Sequence, residues 1–134
     1  MKLLCCLLVI VFFLSCKQVV VVKDKVFYRK SSEGETYLYF PKKSLYVELV
    51  NREGKLDMNF GKYIRTNSSL TLFDFKIYDN ELSSIFNVSE MGSIEVYSKK
   101  ECMFFHYDYP EVNFCQIEFE DLPKLIANKL QSAL

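Results

Sequence analysis

From Thr36 to Tyr78 apolar residues return at every second position, in short runs cut by turn sequences. That period belongs to β-strands, whose side chains point alternately to opposite faces. Short connections between such runs make a sheet of consecutive antiparallel hairpins the simplest fold. Thr36, Leu38 and Phe40 share one face, and Tyr37 and Tyr39 the other. Pro41-Lys42-Lys43 breaks this run. Leu45, Val47 and Leu49 then share a face, opposed by Ser44, Tyr46 and Glu48. The turn Asn51-Arg52-Glu53-Gly54 leads to Leu56, Met58 and Phe60, which alternate with Lys55, Asp57 and Asn59. The two runs read as a hairpin with its apolar face inward. Gly61 to Ser68 reads as a loop. Leu70 to Tyr78 reads as a long strand, with Thr71, Phe73, Phe75 and Ile77 inward.

The flanks complete the pattern. Val19 to Lys30 is β-branched and then basic and aromatic, and Ser31-Ser32-Glu33-Gly34 reads as a turn. Asn80 to Asn87 fits one or two helical turns with Asn80 as N-cap and Leu82, Ile85 and Phe86 clustered. Ser93 to Ser98 is a strand with Ile94 and Val96 inward, and Glu101 to Tyr107 pairs with Val112 to Glu120 as a last hairpin. Asp121 then reads as the N-cap of a helix with Pro123 in its first turn. Leu122, Leu125, Ile126 and Leu130 form the helix's apolar stripe, opposite Lys124, Asn128 and Lys129. The expected fold class is mainly β (α+β): an antiparallel meander of about seven or eight strands with a C-terminal helix. Pattern leaves open sheet and small barrel as equal outcomes.

The N-terminus has a different character. Met1-Lys2 precedes an unbroken apolar run of 12 residues, Leu3 to Leu14, closed by Ser15-Cys16. A helix of that length reaches about 18 Å, short of the roughly 30 Å hydrocarbon core of a bilayer. It has the dimension of a cleavable signal's apolar region. Phe13-Leu14-Ser15-Cys16 resembles the lipobox of bacterial lipoproteins. The resemblance implies thioether attachment of a diacylglycerol to Cys16, cleavage before it and acylation of the new amino group. The chain then divides into a signal peptide, residues 1–15, and one mostly β domain, residues 16–134, that ends in a helix at 121–134. Lys17 follows the cysteine, where Asp tends to retain enterobacterial lipoproteins in the inner membrane, so the resemblance favours the outer membrane. Two plainer readings stand beside it. One is an ordinary secretory signal cut elsewhere; the other is an uncleaved anchor continuing through Val19 to Val22, which Lys17-Gln18 would interrupt. In a eukaryotic or viral host Cys5 and Cys6 would instead be palmitoylation candidates.

Charge excludes some partners. There are 17 Lys and Arg against 17 Asp and Glu, and Lys2 is the signal's one charge. Such balance argues against a nucleic-acid binder, which needs a basic patch. It argues equally against a polybasic membrane surface. Membrane attachment would come from the N-terminal lipid, since several acyl chains hold where one is marginal.

Cys102 and Cys115 flank Tyr107-Asp108-Tyr109-Pro110. If those four residues form the loop, His106 pairs with Glu111, Phe104 with Asn113 and Cys102 with Cys115. Opposed strand residues lie within disulfide range, and such a bond persists in an exported protein. The alternatives are two buried thiols and a zinc site, which would need further ligands from a chain with one histidine. No metal or cofactor is expected.

Catalysis finds little support. His106 beside Glu111 could act as an oriented base, but no nucleophile signature or phosphate loop accompanies it. Tyr37, Tyr39, Tyr46 and Tyr97 fall opposite the inferred core, and Tyr107 and Tyr109 sit at a hairpin tip. Tyrosine suits both interaction surfaces and strands. These six form the candidate binding surface. The expectation is a non-enzymatic, lipid-anchored bacterial envelope protein that binds a protein partner, such as an inhibitor or immunity-type lipoprotein. The alternatives are a small-ligand carrier, with Phe73, Phe75, Met58, Phe60 and Leu49 lining a barrel cavity, and an ordinary secreted β protein.

Overall fold

The computed structural model describes residues 22–66, 69–76, 80–85, 93–106 and 108–133. The signal segment, Cys16 and Tyr107 lie outside them. Eight strands run in chain order: β1 Val26–Ser31, β2 Gly34–Lys42, β3 Leu45–Arg52, β4 Lys55–Arg65, β5 Ser69–Phe73, β6 Ser93–Lys99, β7 Cys102–Phe104 and β8 Asn113–Ile117. Each pairs antiparallel with the next. The sheet closes when Val26, Phe27 and Tyr28 of β1 pair with Ile117, Gln116 and Cys115 of β8. The result is an up-and-down barrel. Helix α1, Asn80–Ile85, lies in the β5–β6 connection, and helix α2, Lys124–Gln131, follows β8.

Turn chemistry explains the tight connections. Arg52 pairs with Lys55, leaving Glu53 and Gly54 as the turn. Both have positive φ, 53° and 85°, the combination that matches strand twist and that glycine adopts without strain. Pro41 falls within the register shift of β2 between Tyr39 and Lys42, where a missing donor costs no ladder bond.

The barrel has two cores. Inside it, Phe27, Leu38, Phe40, Tyr46, Tyr63, Leu70, Leu72, Met103 and Phe114 are buried together. A chain of ring contacts crosses the interior. Phe27 meets Phe40 at 5.9 Å, Phe40 meets Tyr46 at 6.3 Å and Tyr46 meets Phe75 at 6.5 Å. Phe75 stacks on Phe105, and Phe105 meets Phe114, both at 5.3 Å. The second core is outside the barrel. There Leu122, Ile126 and Leu130 cover Val26, Tyr37, Tyr39, Val47 and Leu49.

This second core corrects several facings read from the alternation. Val47, Leu49 and Met58 pack outside the barrel under α2, and Phe60 is exposed; Tyr46 and Glu48 turn inward instead. On β5 the interior residues are Leu70 and Leu72, while Thr71 and Phe73 are half-buried. Residues 61–65 are strand rather than loop. Gly61 pairs with Tyr46, and a Cβ at position 61 would fall on the Tyr46 ring. Glycine there lets the ring lie across the neighbouring strand, where its hydroxyl donates to the Phe73 carbonyl at 2.6 Å. The C-terminal helix starts at Lys124 with Pro123 in the N-cap position. Asp121 ends a short 3-10 turn, Phe119–Asp121, and caps nothing. Leu125 is 59% exposed, so the helix buries Ile126 and Leu130, and Leu122 joins them from the chain just before it.

Candidate functional site

The tyrosines do not form one surface. Tyr37 and Tyr39 are buried under α2, and Tyr46 is inside the barrel. Hydroxyl partners explain why tyrosine is tolerated at positions 37 and 46. Tyr28 and Tyr37 both donate to the Glu35 carboxylate at 3.2 Å, and Asn51 Nδ2 donates to it at the same distance. Burial, and then the Glu35 charge, push the Tyr37 phenol above its ordinary value. Tyr97 is half-buried with its ring against Phe104 at 5.7 Å. Tyr109 is 45% exposed. Of the six, Tyr109 and in part Tyr97 meet solvent among the described residues.

The cysteine register holds. Cys102 pairs with Cys115, Phe104 pairs with Asn113, and the two sulfurs are bonded. Met103 and Phe114 beside them point into the barrel, so the bond sits on the outer face. It ties the shortest strand, β7, to the strand that closes the sheet. Replacing both cysteines by serine is expected to cost about 3 kcal/mol, the entropy of releasing so short a loop. Urea unfolding with and without reductant checks this. Reductant should lower the midpoint of the natural protein to that of the double variant, and an unchanged midpoint would refute it.

The loop above the disulfide is longer than four residues. Strand β7 ends at Phe104, and Phe105 continues the inward alternation of Met103 into the interior core. His106 therefore does not pair with Glu111. Its Nδ1 accepts from the Asp108 amide at 3.1 Å and lies 3.9 Å from the Asp108 carboxylate, and its ring packs on Tyr109 at 5.3 Å. The Tyr109 amide donates to the His106 carbonyl, and the Val112 amide to the Tyr109 carbonyl. The loop is thus held by its own turns and presents Asp108, Tyr109 and Glu111 outward.

Two buried ionisable side chains, Glu48 and Arg29, contact the β5–β6 connection. Glu48 on β3 is 1% exposed. The Lys76 amide donates to its Oε1 at 3.2 Å, and Asn59 Nδ2 from the paired strand approaches at 3.5 Å. Burial dominates over these bonds and over the Lys76 charge, and the carboxyl is pushed up to about 8. Glu48 therefore holds its proton at neutral pH. Arg29, also buried, reaches Glu81 of α1 at 2.6 Å, and Leu82 of α1 joins the interior core. Together they pin α1 over the barrel. Sequence reading faced Glu48 to solvent. The available signal was its setting: a lone carboxylate inside Leu45-Tyr46-Val47-Glu48-Leu49-Val50.

Among the described residues no three His, Cys, Asp or Glu side chains converge as metal ligands would. The five residues expected to line a carrier cavity do not meet: Phe75 packs on the interior core, Met58 and Leu49 pack under α2, Phe60 is exposed, and Phe73 is half-buried. A cleft of about 500 Å³ opens instead at the barrel end where the chain enters, lined by Val22, Lys23, Lys43, Ser44, Tyr63, Ile64 and Arg65. Comparison of the chain with protein-family models, with curated proteins and with solved structures found no match.

Proposed function

We propose that this is a lipid-anchored protein of a bacterial envelope that works by binding a protein partner. The observation that carries the reading is the filled interior. Eight strands enclose a space that either side chains fill or one small ligand occupies. Here Phe40, Tyr46, Leu38, Leu70, Leu72 and Phe114 fill it, each at 0% exposure. Recognition then falls to the surface, and loops on a rigid scaffold are its usual seat. The loop of Asp108, Tyr109 and Glu111 suits this role. A disulfide two residues below its base joins its two strands, and it opens at the end of the barrel opposite the chain's entry. An anchor on Cys16 would leave that end facing outward. The inhibitor or immunity-type role remains the specific form of this proposal.

The test is photo-crosslinking in the envelope of a bacterial host. A photoreactive phenylalanine in place of Tyr109 should trap one discrete adduct, lost when Asp108→Lys and Glu111→Lys are added. The same group in place of exposed Lys129 should trap none. Absence of an adduct from position 109 would sink the reading. Fatty-acid labelling that disappears in Cys16→Ser checks the anchor separately.

The small-ligand carrier is the second reading, favoured by the closed barrel and by the cleft at its entry end. Lipid or another apolar molecule in the mass spectrum of the purified protein would support it.

A further inference from the structure

The balanced charge of the chain conceals an uneven distribution. In an up-and-down barrel alternate turns lie at opposite ends. The entry end therefore gathers Lys23, Lys42 at the close of β2, Lys43 of the β2–β3 turn, and Arg65 at the close of β4. Lys23, Lys43 and Arg65 ring the 500 Å³ cleft, with Val22, Tyr63 and Ile64 as its apolar walls. Beside it Leu45, Phe60 and Ile64 remain 42%, 57% and 57% exposed. Lys62 pairs with Leu45 and alternates with Phe60 and Ile64 on the same outward face of β4. Large apolar side chains interleaved with cations suit the headgroup region of an anionic bilayer, where burial and charge attraction add.

We propose that this β3–β4 edge docks on an anionic lipid bilayer. Leu45, Phe60 and Ile64 enter the headgroup region, and Lys23, Lys43 and Lys62 face the lipid phosphates. Chain length supports the choice of occupant. Val22 is packed in the interior core at this end, and Cys16 stands six residues before it. Six extended residues reach at most about 22 Å. A lipid on Cys16 thus holds this end, not the far one, at the bilayer. That step rests on the lipid-anchor reading, while the amphipathic edge stands without it. Carboxylates limit the surface. Asp24 adjoins Lys23, and Glu118, Glu120 and Asp121 follow β8 toward Tyr39, where Phe119 packs. Docking therefore uses one edge and tilts the barrel, rather than seating its whole end.

The chain contains no tryptophan, so a single introduced one reports its own depth. The full-length protein from a bacterial host is placed on vesicles of phosphatidylethanolamine and bromine-labelled phosphatidylglycerol. The Phe60→Trp protein should shift its emission to the blue and lose at least half its intensity to bromine. The Ser32→Trp protein, labelled at the far-end turn, should do neither. Adding Lys43→Glu and Lys62→Glu to Phe60→Trp should abolish the quenching. Equal quenching at both positions, or none at position 60, would overturn the proposal. Intact mass reports acylation of Cys16 in the same samples. If acyl chains are absent, the anchor reading fails by itself, and vesicle affinity becomes the readout of the surface. Loss of at least about tenfold on the double charge reversal then supports docking; no binding, or affinity indifferent to the reversal, overturns it.

Discussion

Replacing Ile126 and Leu130 together by alanine is expected to remove on the order of 5 kcal/mol of stability. Each side chain is essentially inaccessible, at 1% and 0% exposure, and large-to-alanine changes at such sites cost about 2–5 kcal/mol each. The two share one cluster, so their effects will not simply add. The loss is a large fraction of a typical domain's about 5–15 kcal/mol. It also has a particular signature. Without these contacts α2 releases Tyr37, Tyr39, Val47 and Leu49, while the interior core keeps its own contacts. A barrel that still unfolds cooperatively, at a lower urea midpoint and with new binding of a hydrophobic dye, is the expected result. The exposed neighbour is the control: Leu125→Ala should change the midpoint little. Equal losses at Leu125 and at the pair would mean that α2 does not pack as described.

Glu48→Gln is expected to stabilise the protein, increasingly so as pH rises. The folded carboxyl ionises near 8, against 4.5 for the free side chain. Below 4.5 both states hold the proton, and the group's contribution is fully present. Between these values the unfolded chain releases its proton while the folded one keeps it, so stability falls by about 1.4 kcal/mol per pH unit. Above 8 the loss is complete, on the order of 5 kcal/mol. Glutamine keeps an oxygen to accept from the Lys76 amide and has no proton to lose. The advantage of the variant over the natural protein should therefore be small at pH 4 and largest above pH 8. Chemical denaturation across that range measures it. A difference that stays flat with pH would mean that Glu48 is solvated in the folded state.

Much of the architecture was legible in the chain. The period of two located the two strands of the hairpin on either side of Asn51 to Gly54. Counting from the loop paired Cys102 with Cys115, because register follows from strand alternation once two points are aligned. The spacing of Leu122, Leu125, Ile126 and Leu130 marked a C-terminal helix with an apolar stripe; the helix buries Ile126 and Leu130, while Leu125 is exposed and Leu122 precedes it. Each of these depends on neighbours close in sequence, where local geometry leaves few options.

What the chain did not reveal is which face of each strand meets which surroundings. Alternation separates two faces but assigns neither to the interior. The usual guide is that the polar face meets water, and it fails on β2 and β3, which are buried on both sides over residues 36–40 and 46–50. One side is barrel, the other is α2. Hence Tyr37 and Tyr39, taken for an interaction surface, became a second core, and Glu48 entered the first. Closure was equally hidden, since it requires residues 26–28 to meet residues 115–117, far apart in the chain. The N-terminal sequence governs where the chain is expected to be held. Only the closed barrel brings Lys23, Lys43 and Lys62 to the apolar edge beside it, because strands adjacent in space carry charges distant in sequence to one end.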